Sequence, residues 1–381
     1  MTYDVVGLRR EEFPWADGTV YLDHASVGPL PERTRRAADE MNRRRSRPFE
    51  LGHEDLQGAL TTARTVLADL IHADPAEIAL ATNTSFGLGM AARALPFRPG
   101  DVVLVSHREF PANVYPWMRL GDRGVTLELV PVTPEGWPDE PRILARLADP
   151  RVRCLAVSHT QFASGYTVDL ARLSAETRAR GQYLVVDAIQ ALGHLPLDVR
   201  RTQVDLLSCG GQKWLLSPWG SGFCYVRREL IPELDPVITG WMAFEGTDDF
   251  TRLCEYHDRL RGDARRFELV TIPFQDFVGL TSSVALLSAL GIPAIHDHLE
   301  LIQQPVTDWA RRKGVPITSP LGPRGSAIVC VAPPRVKESF RALREARIFA
   351  SLREGSIRLS PHCYNTCDEM ERVAAVLDTL L

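Results

Sequence analysis

Lysine is nearly absent from this chain. Of its 44 basic residues only three are Lys, at positions 213, 313 and 337, so 41 are Arg and Lys213 is the sole lysine in the first 312 residues. Wherever a plain positive charge is wanted the sequence uses Arg. A lysine kept in the uncharged stretch Cys-Gly-Gly-Gln-Lys-Trp-Leu-Leu therefore points to chemistry that a permanently protonated guanidinium cannot perform. Lys313 in Arg-Arg-Lys and Lys337 in Arg-Val-Lys-Glu read as solvated helix charges. Long apolar runs are missing too. No stretch of about 18 apolar residues occurs, and no basic region followed by an apolar one opens the chain, which argues against a membrane span or secretory leader and for the cytoplasm. Basic charge is not in excess: the net charge of −4 offers no footprint for nucleic acid. The seven cysteines are odd in number and scattered, as free thiols are, and the lone pair Cys363 and Cys367 has no companion ligands at zinc spacing, so no metal is expected. There is no internal repeat. A Gly-x-Gly-x-x-Gly turn after the first strand is also lacking, which excludes a nucleotide-binding dehydrogenase.

What is present is alternation. Short runs rich in branched apolar residues recur at Ile78 to Thr82, Val102 to Ser106, Leu127 to Val130, Val152 to Ser158, Tyr183 to Asp187, Val204 to Ser208 and Gly222 to Val226. Between them lie stretches of helical period, among them Asp55 to Ile71, Ser85 to Leu95 and Asp169 to Arg180. Strands alternating with helices predict an α/β fold with a doubly wound, mostly parallel sheet. The divisions expected are an N-terminal arm (1–30), a large domain (31–275) containing an irregular segment over 237–273, and a linking helix with a smaller C-terminal α+β domain (276–381). A helix over Phe277 to Leu290 stops at Gly291 and Pro293. Beyond it the pattern reads helix, strand (Ala327 to Ala332), helix (Arg335 to Glu345), strand (Ser356 to Ser360) and helix (Cys367 to Leu380).

In open parallel sheets ligands sit beyond the carboxyl ends of the strands, so the residues just after each run belong together. After Ile78 to Thr82 comes Asn83-Thr84-Ser85, hydroxyls and free amides at a helix start suited to an anion such as phosphate. Phe110 follows the next run and can lie against a flat ring. Asp187 ends an apolar run, where a carboxylate is costly without a cationic partner, and Gln190 shares its turn. The next strand and its loop deliver Lys213. A lysine for a Schiff base, an acid for a pyridinium nitrogen, a stacking ring and a phosphate-binding turn together describe a pyridoxal phosphate site.

With these residues in view the chain resembles the fold-type I pyridoxal phosphate enzymes of the class V aminotransferase group, which includes cysteine desulfurases, C–S lyases, isopenicillin N epimerase and kynureninase. The likeness runs over nearly the whole length. Tyr21-Leu22-Asp23-His24-Ala25-Ser26 is similar to the family's opening segment, which puts Ala25 and Ser26 near the substrate. The resemblance implies that Asn83 and Thr84 face the phosphate, Phe110 stacks on the ring, Asp187 meets the ring nitrogen, Gln190 lies on its O3′ side and Lys213 is the Schiff-base lysine. It implies that Gln212, Trp241 and Thr271 also contact the cofactor, Thr271 from a second subunit, and that Arg358 in Arg-Leu-Ser-Pro-His-Cys-Tyr-Asn-Thr grips the substrate carboxylate. A homodimer acting on an amino acid is implied as well.

Departures from the family bear on the reaction. Desulfurases carry a persulfide-forming Cys on a loop before the carboxylate arginine, whereas nothing between Cys330 and Arg358 is Cys. Where desulfurases place an Asn near the cofactor, this chain has Phe162, an apolar wall. The expectation is a Schiff-base enzyme acting at Cα, with Lys213 as general base, and β-elimination from a cysteine-like amino acid as first choice. Transamination and epimerisation are the alternatives, with a persulfide relay behind them and a catalytically silent binding protein last.

Overall fold

The computed structural model describes residues 3–236 and 238–381. Seven strands form the central sheet: β1 (Ile78–Ala81), β2 (Val102–Ser106), β3 (Thr126–Val130), β4 (Val152–Ser158), β5 (Tyr183–Asp187), β6 (Leu206–Gly210) and β7 (Gly222–Val226), in the order β1-β7-β6-β5-β4-β2-β3. Strands β2 to β6 run parallel to one another, and β7 is antiparallel to both β1 and β6. Alternate side chains of the middle strands sort into two apolar cores. Leu104, Leu155, Val157, Leu184 and Val186 belong to one, and Val103, Val105, Cys154, Ala156 and Val185 to the other. A two-residue period buried on both faces is what makes these strands read as continuous apolar runs.

Nine of the helices are α1 (Val5–Glu12), α2 (Glu32–Arg45), α3 (His53–Ile71), α4 (Thr84–Ala94), α5 (Leu170–Ala179), α6 (Phe274–Leu290), α7 (Ile292–Lys313), α8 (Val336–Glu345) and α9 (Cys367–Asp378). A second, antiparallel sheet joins β8 (Val329–Val331), β9 (Ser351–Arg353) and β10 (Ser356–Leu359) in the order β9-β10-β8. It shares a separate core with α7, α8 and α9, built on Trp309, Val329, Leu343, Ile357, Met370 and Leu377. Val20–Tyr21 pairs in parallel with Ile348–Phe349, which ties the N-terminal segment to this C-terminal layer. Among the described residues no single helix is long and apolar enough to cross a membrane.

Two of the differences from the sequence reading concern the sheet and a helix. The strand expected over Val204 to Ser208 lies two residues later, because Ser208, Cys209 and Gly210 find ladder partners in Cys224, Phe223 and Gly222. A Cβ on Gly222 would lie 2.6 Å from the Cys209 carbonyl oxygen, so glycine there permits the close approach. Helix α2, Glu-Arg-Thr-Arg-Arg-Ala-Ala-Asp-Glu-Met-Asn-Arg-Arg-Arg, was not anticipated. Only Thr34 and Met41 are buried on it, too few to give an apolar stripe.

Candidate active site

The parallel strands end on one side of the sheet, and there β6 runs into the loop that carries Lys213. That loop is closed on itself: Gly211 donates its amide to the Ser221 carbonyl at 2.7 Å and Ser217 donates to the Gly211 carbonyl at 3.0 Å. Trp214 is fully buried next to the lysine and its indole N–H donates to Gln190 Oε1 at 2.8 Å. His362 Nε2 donates to the Trp214 carbonyl at 2.9 Å, while its Nδ1 accepts from the Cys363 amide, which fixes a neutral tautomer. The segment 23–28 lies against the same backbone, with Gly28 donating to the Gln212 carbonyl at 2.8 Å. A Cβ on Gly28 would stand 2.1 Å from the Lys213 carbonyl oxygen, so only glycine fits.

Lys213 Nζ stands 5.5 Å from the centroid of Phe110, whose ring meets Phe162 edge-on at 5.2 Å. Burial lowers the lysine pKa to about 8, with Asp187 opposing the shift and Arg358 adding to it. Asp187 ends β5 with its carboxyl buried. Oδ1 accepts from the Ile189 amide at 3.0 Å, and among the described residues no protein donor meets Oδ2. Burial raises the Asp187 pKa to about 7; the Ile189 amide lowers it, nearby Glu109 raises it and Lys213 lowers it. Glu109, itself pushed up by burial, accepts from the Ser158 amide and from Gln161 Nε2, each at 2.8 Å, and from the Ser158 hydroxyl. A buried carboxylate with one open oxygen beside an apolar ring is completed by a cationic N–H donor.

At the other side of the lysine, α4 begins. Asn83 caps it by accepting from the Phe86 amide at 2.9 Å, and Thr84 Oγ1 accepts from the Gly210 amide at 2.9 Å. The amides of Thr84 and Ser85 remain without an intrahelical acceptor, as at every helix start. A Cβ on Gly210 would lie 2.5 Å from Gln212 Oε1 and 3.3 Å from Thr84 Oγ1, so Thr84, Gly210 and Gln212 enclose a small polar cradle at this helix N-terminus.

Arg358, on β10, is buried. Its Nη1 donates to the Phe162 carbonyl at 2.7 Å, its Nη2 to Ser26 Oγ at 2.7 Å and to Asp23 Oδ1 at 3.3 Å, and its Nε is buried without a partner. Ala25 is held beside it, donating to Ser360 Oγ at 3.1 Å and accepting from Gln190 Nε2 at 3.0 Å. One long carboxylate contact leaves a buried guanidinium under-neutralised and able to take an anion.

Lys213, Asp187, Phe110, Phe162, Thr84, Gln212, Arg358, Ser26 and Ala25 are thus brought to one place. Gln190 is there too, but both ends of its amide are engaged, by Trp214 and Ala25, rather than turned to open space. Asn83 stands at the start of α4, exposed, with its amide oxygen spent on the helix cap. Two further residues are not gathered. Trp241 lies on the excursion after β7, edge-on to Phe250 and lining a cavity with Phe244, Leu253 and Tyr256, and Thr271 is exposed. Val237, at the start of the segment expected to be irregular, lies outside the described residues, as do Met1 and Thr2 of the arm. Sequence reasoning left Asp23, Glu109, Arg353 and the His24–His362 pair without roles. Asp23 carries the same signal as Asp187, an acid closing an apolar pair, whereas Glu109 stands among charged neighbours and gives none. Cys363 is buried in the main core and its thiol is pushed up by burial. Among the described residues no group of three or more His, Cys, Asp or Glu is placed to hold a metal ion.

Comparison with known proteins follows the same lines. The family model described as aminotransferase class-V matches residues 20–338. An uncharacterized aminotransferase, YcbU, of Bacillus subtilis is 30% identical over 308 residues, covering 81% of this chain and 80% of its own length. Isopenicillin N epimerase of Streptomyces clavuligerus is 30% identical over 383 residues, covering 95% of this chain and 94% of the epimerase. The apo structure of a cysteine desulfurase from Thermococcus onnurineus NA1 superposes with a TM-score of 0.88 at 22% identity, covering 100% of this chain and 99% of that one.

Proposed function

The chain belongs to the class-V aminotransferase family, enzymes of fold type I that use pyridoxal phosphate on amino acids, and we propose that it catalyses β-elimination from a cysteine-like α-amino acid. Fit to the cofactor rests on the open Oδ2 of Asp187, the Phe110 ring beside Lys213, and the polar cradle at the start of α4. When bound, the group supplies a sink for the electron pair left by a broken bond at Cα.

Everything else is the work of this chain. Asp187 would hold the proton of the ring nitrogen, Phe110 would lie against the ring, and the Thr84 and Ser85 amides with Gln212 would hold the phosphate. Lys213 would anchor the aldehyde carbon through its amine. Arg358 and Ser26 fix the substrate carboxylate, with Ala25 shaping the approach. The amine of Lys213, which burial holds below the ordinary lysine range, would take the Cα proton and pass it to the departing β-substituent. Phe110 and Phe162 keep water from that transfer. In a cytoplasmic homodimer, Trp241 and Thr271 of one subunit would approach the phosphate end of the other.

The observation that carries elimination over sulfur relay is the lack of a cysteine on the segment leading to the carboxylate arginine. No Cys lies between Cys330 and Arg358, and Cys330 is buried in β8 with its thiol on the Ala163 carbonyl at 3.2 Å and its pKa pushed up to about 11. Epimerisation is the second reading, favoured by the full-length likeness to isopenicillin N epimerase. It needs a second proton donor opposite the lysine, and the ring that Lys213 Nζ faces is the apolar Phe110, backed by Phe162. The holoenzyme incubated with L-cysteine, L-cystine and L-alanine separates these. Elimination predicts pyruvate with sulfide from L-cysteine and pyruvate with cysteine persulfide from L-cystine, both lost in Lys213→Ala. D-amino acid without pyruvate would favour epimerisation, and amine transferred to an added keto acid would favour transamination.

A further inference from the structure

Beside Arg358 stands a second guanidinium. Arg353 closes β9, and the β9–β10 register pairs Ser351 with Arg358 and Arg353 with Ser356. Residues paired across an antiparallel ladder share a face, and every second residue returns to it, so Arg353 and Arg358 project from the same face of the hairpin on a diagonal. Both reach one atom: Ser26 Oγ accepts from Arg358 Nη2 at 2.7 Å and from Arg353 Nη2 at 3.4 Å. Arg358 donates to the carbonyl of Phe162, whose ring meets the Phe110 ring that Lys213 Nζ faces, which places the pair on the lysine's side of the hairpin.

Two like charges on one face repel unless an anion lies between them. The acids nearby are already engaged. Glu354 pairs with Arg108 at 2.7 Å, and Asp23 Oδ1 is shared by Arg358 at 3.3 Å and the Ser351 hydroxyl at 2.5 Å. Among the described residues Arg353 has no carboxylate partner, donating otherwise to the Leu352 carbonyl at 2.9 Å. It is half-buried, so water screens it less than it would a surface charge. The single carboxylate of an ordinary α-amino acid satisfies Arg358 and leaves Arg353 uncompensated.

We propose that Arg353 is a specificity residue for an acidic substrate: while Arg358 takes the α-carboxylate, Arg353 takes a second anionic group on the substrate side chain. Because the two guanidinium nitrogens contact a common oxygen, the two anions sit close together, which fits a short side chain. This rests on the reading of Arg358 as the carboxylate site and narrows it, to an amino acid whose β-substituent carries negative charge.

The test is equilibrium binding of succinate and butyrate, four-carbon acids with two carboxylates and one, to the holoenzyme by titration calorimetry. Neither has an amine, so no turnover intrudes. Wild-type protein should bind succinate about ten- to a hundredfold more tightly than butyrate. In Arg353→Met that preference should fall to about one while butyrate affinity is kept, and Arg353→Lys should restore part of it. No preference in wild type, a preference that survives in Arg353→Met, or an equal loss for both ligands would overturn the proposal. Cofactor attachment at Lys213 is scored separately by borohydride labelling. A protein that takes the cofactor but does not discriminate refutes the role of Arg353 alone, and one that discriminates without taking it refutes the functional reading alone.

Discussion

Burial sets Asp187 and Lys213 each against its own charge, and both can be measured without turnover. The Asp187 pKa rises from about 3.8 unfolded to about 7 folded, so the native state binds the proton more tightly. That group therefore costs nothing below pH 4, costs stability progressively as pH rises from about 4 to 7, and keeps the full cost above pH 7. Cofactor-free Asp187→Asn should be more stable than wild type at pH 8, by about 1–4 kcal/mol in urea denaturation, with the gap closing toward pH 4. The same substitution should lower turnover at least about a hundredfold. For Lys213 the shift runs the other way, so its reactive free amine appears as pH rises through about 8. Labelling of the cofactor-free protein with an amine-acylating reagent should titrate at Lys213 near pH 8, below the ordinary lysine range, and with three lysines in the chain peptide mapping assigns it directly. Both residues were legible in the sequence, Asp187 because a carboxylate at the end of an apolar run is costly and Lys213 because it is the sole lysine in the first 312 residues and stands in an uncharged stretch. Arg353 was not, since an Arg beside Glu in a chain of 41 Arg carries no such contrast.

At the scale of elements, the strands of the sheet were legible because both their faces are buried and branched apolar residues fill them. The turns that make the site were less so. Nothing in Val-Gly-Pro announces that Gly28 must lie on the backbone of Lys213, because the constraint comes from a residue 185 positions away in sequence. Gly28→Ala should force the two backbones apart, costing about 1–3 kcal/mol and loosening the cofactor; thermal unfolding of the cofactor-free protein and cofactor dissociation measure the two effects. The hairpin β9–β10 escaped notice as a hairpin because Arg-Glu-Gly-Ser offers polar residues on both sides of its turn, and its register appears only through pairing with β8. His362 illustrates the same limit. It follows Arg358 closely in sequence, yet its partner is the Trp214 carbonyl, so its part in holding the lysine loop is visible only in the fold.

The molecule as a whole joins an N-terminal segment, a parallel sheet and a C-terminal layer around one lysine. Arg108, after β2, and Glu354, at the tip of the β9–β10 hairpin, bridge the two layers at 2.7 Å where both are exposed. Such a pair contributes about 0–1 kcal/mol, too little to hold the layers by itself. The large apolar side chains left outside, Phe49, Trp219 and Tyr256 among them, together with the exposed Trp241, favour a partner subunit. Sedimentation equilibrium at micromolar concentration should give twice the chain mass of 42.4 kDa. Trp241→Ala should then weaken cofactor retention with little change in thermal midpoint. The most direct test of Lys213 as the cofactor's anchor uses the chain's own scarcity of lysine. The protein is incubated with pyridoxal phosphate, reduced with borohydride and mapped by peptide mass spectrometry. The cofactor's mass should appear on the peptide containing Lys213 and be lost in Lys213→Ala; label spread over Lys313 and Lys337, or none at all, would contradict the assignment.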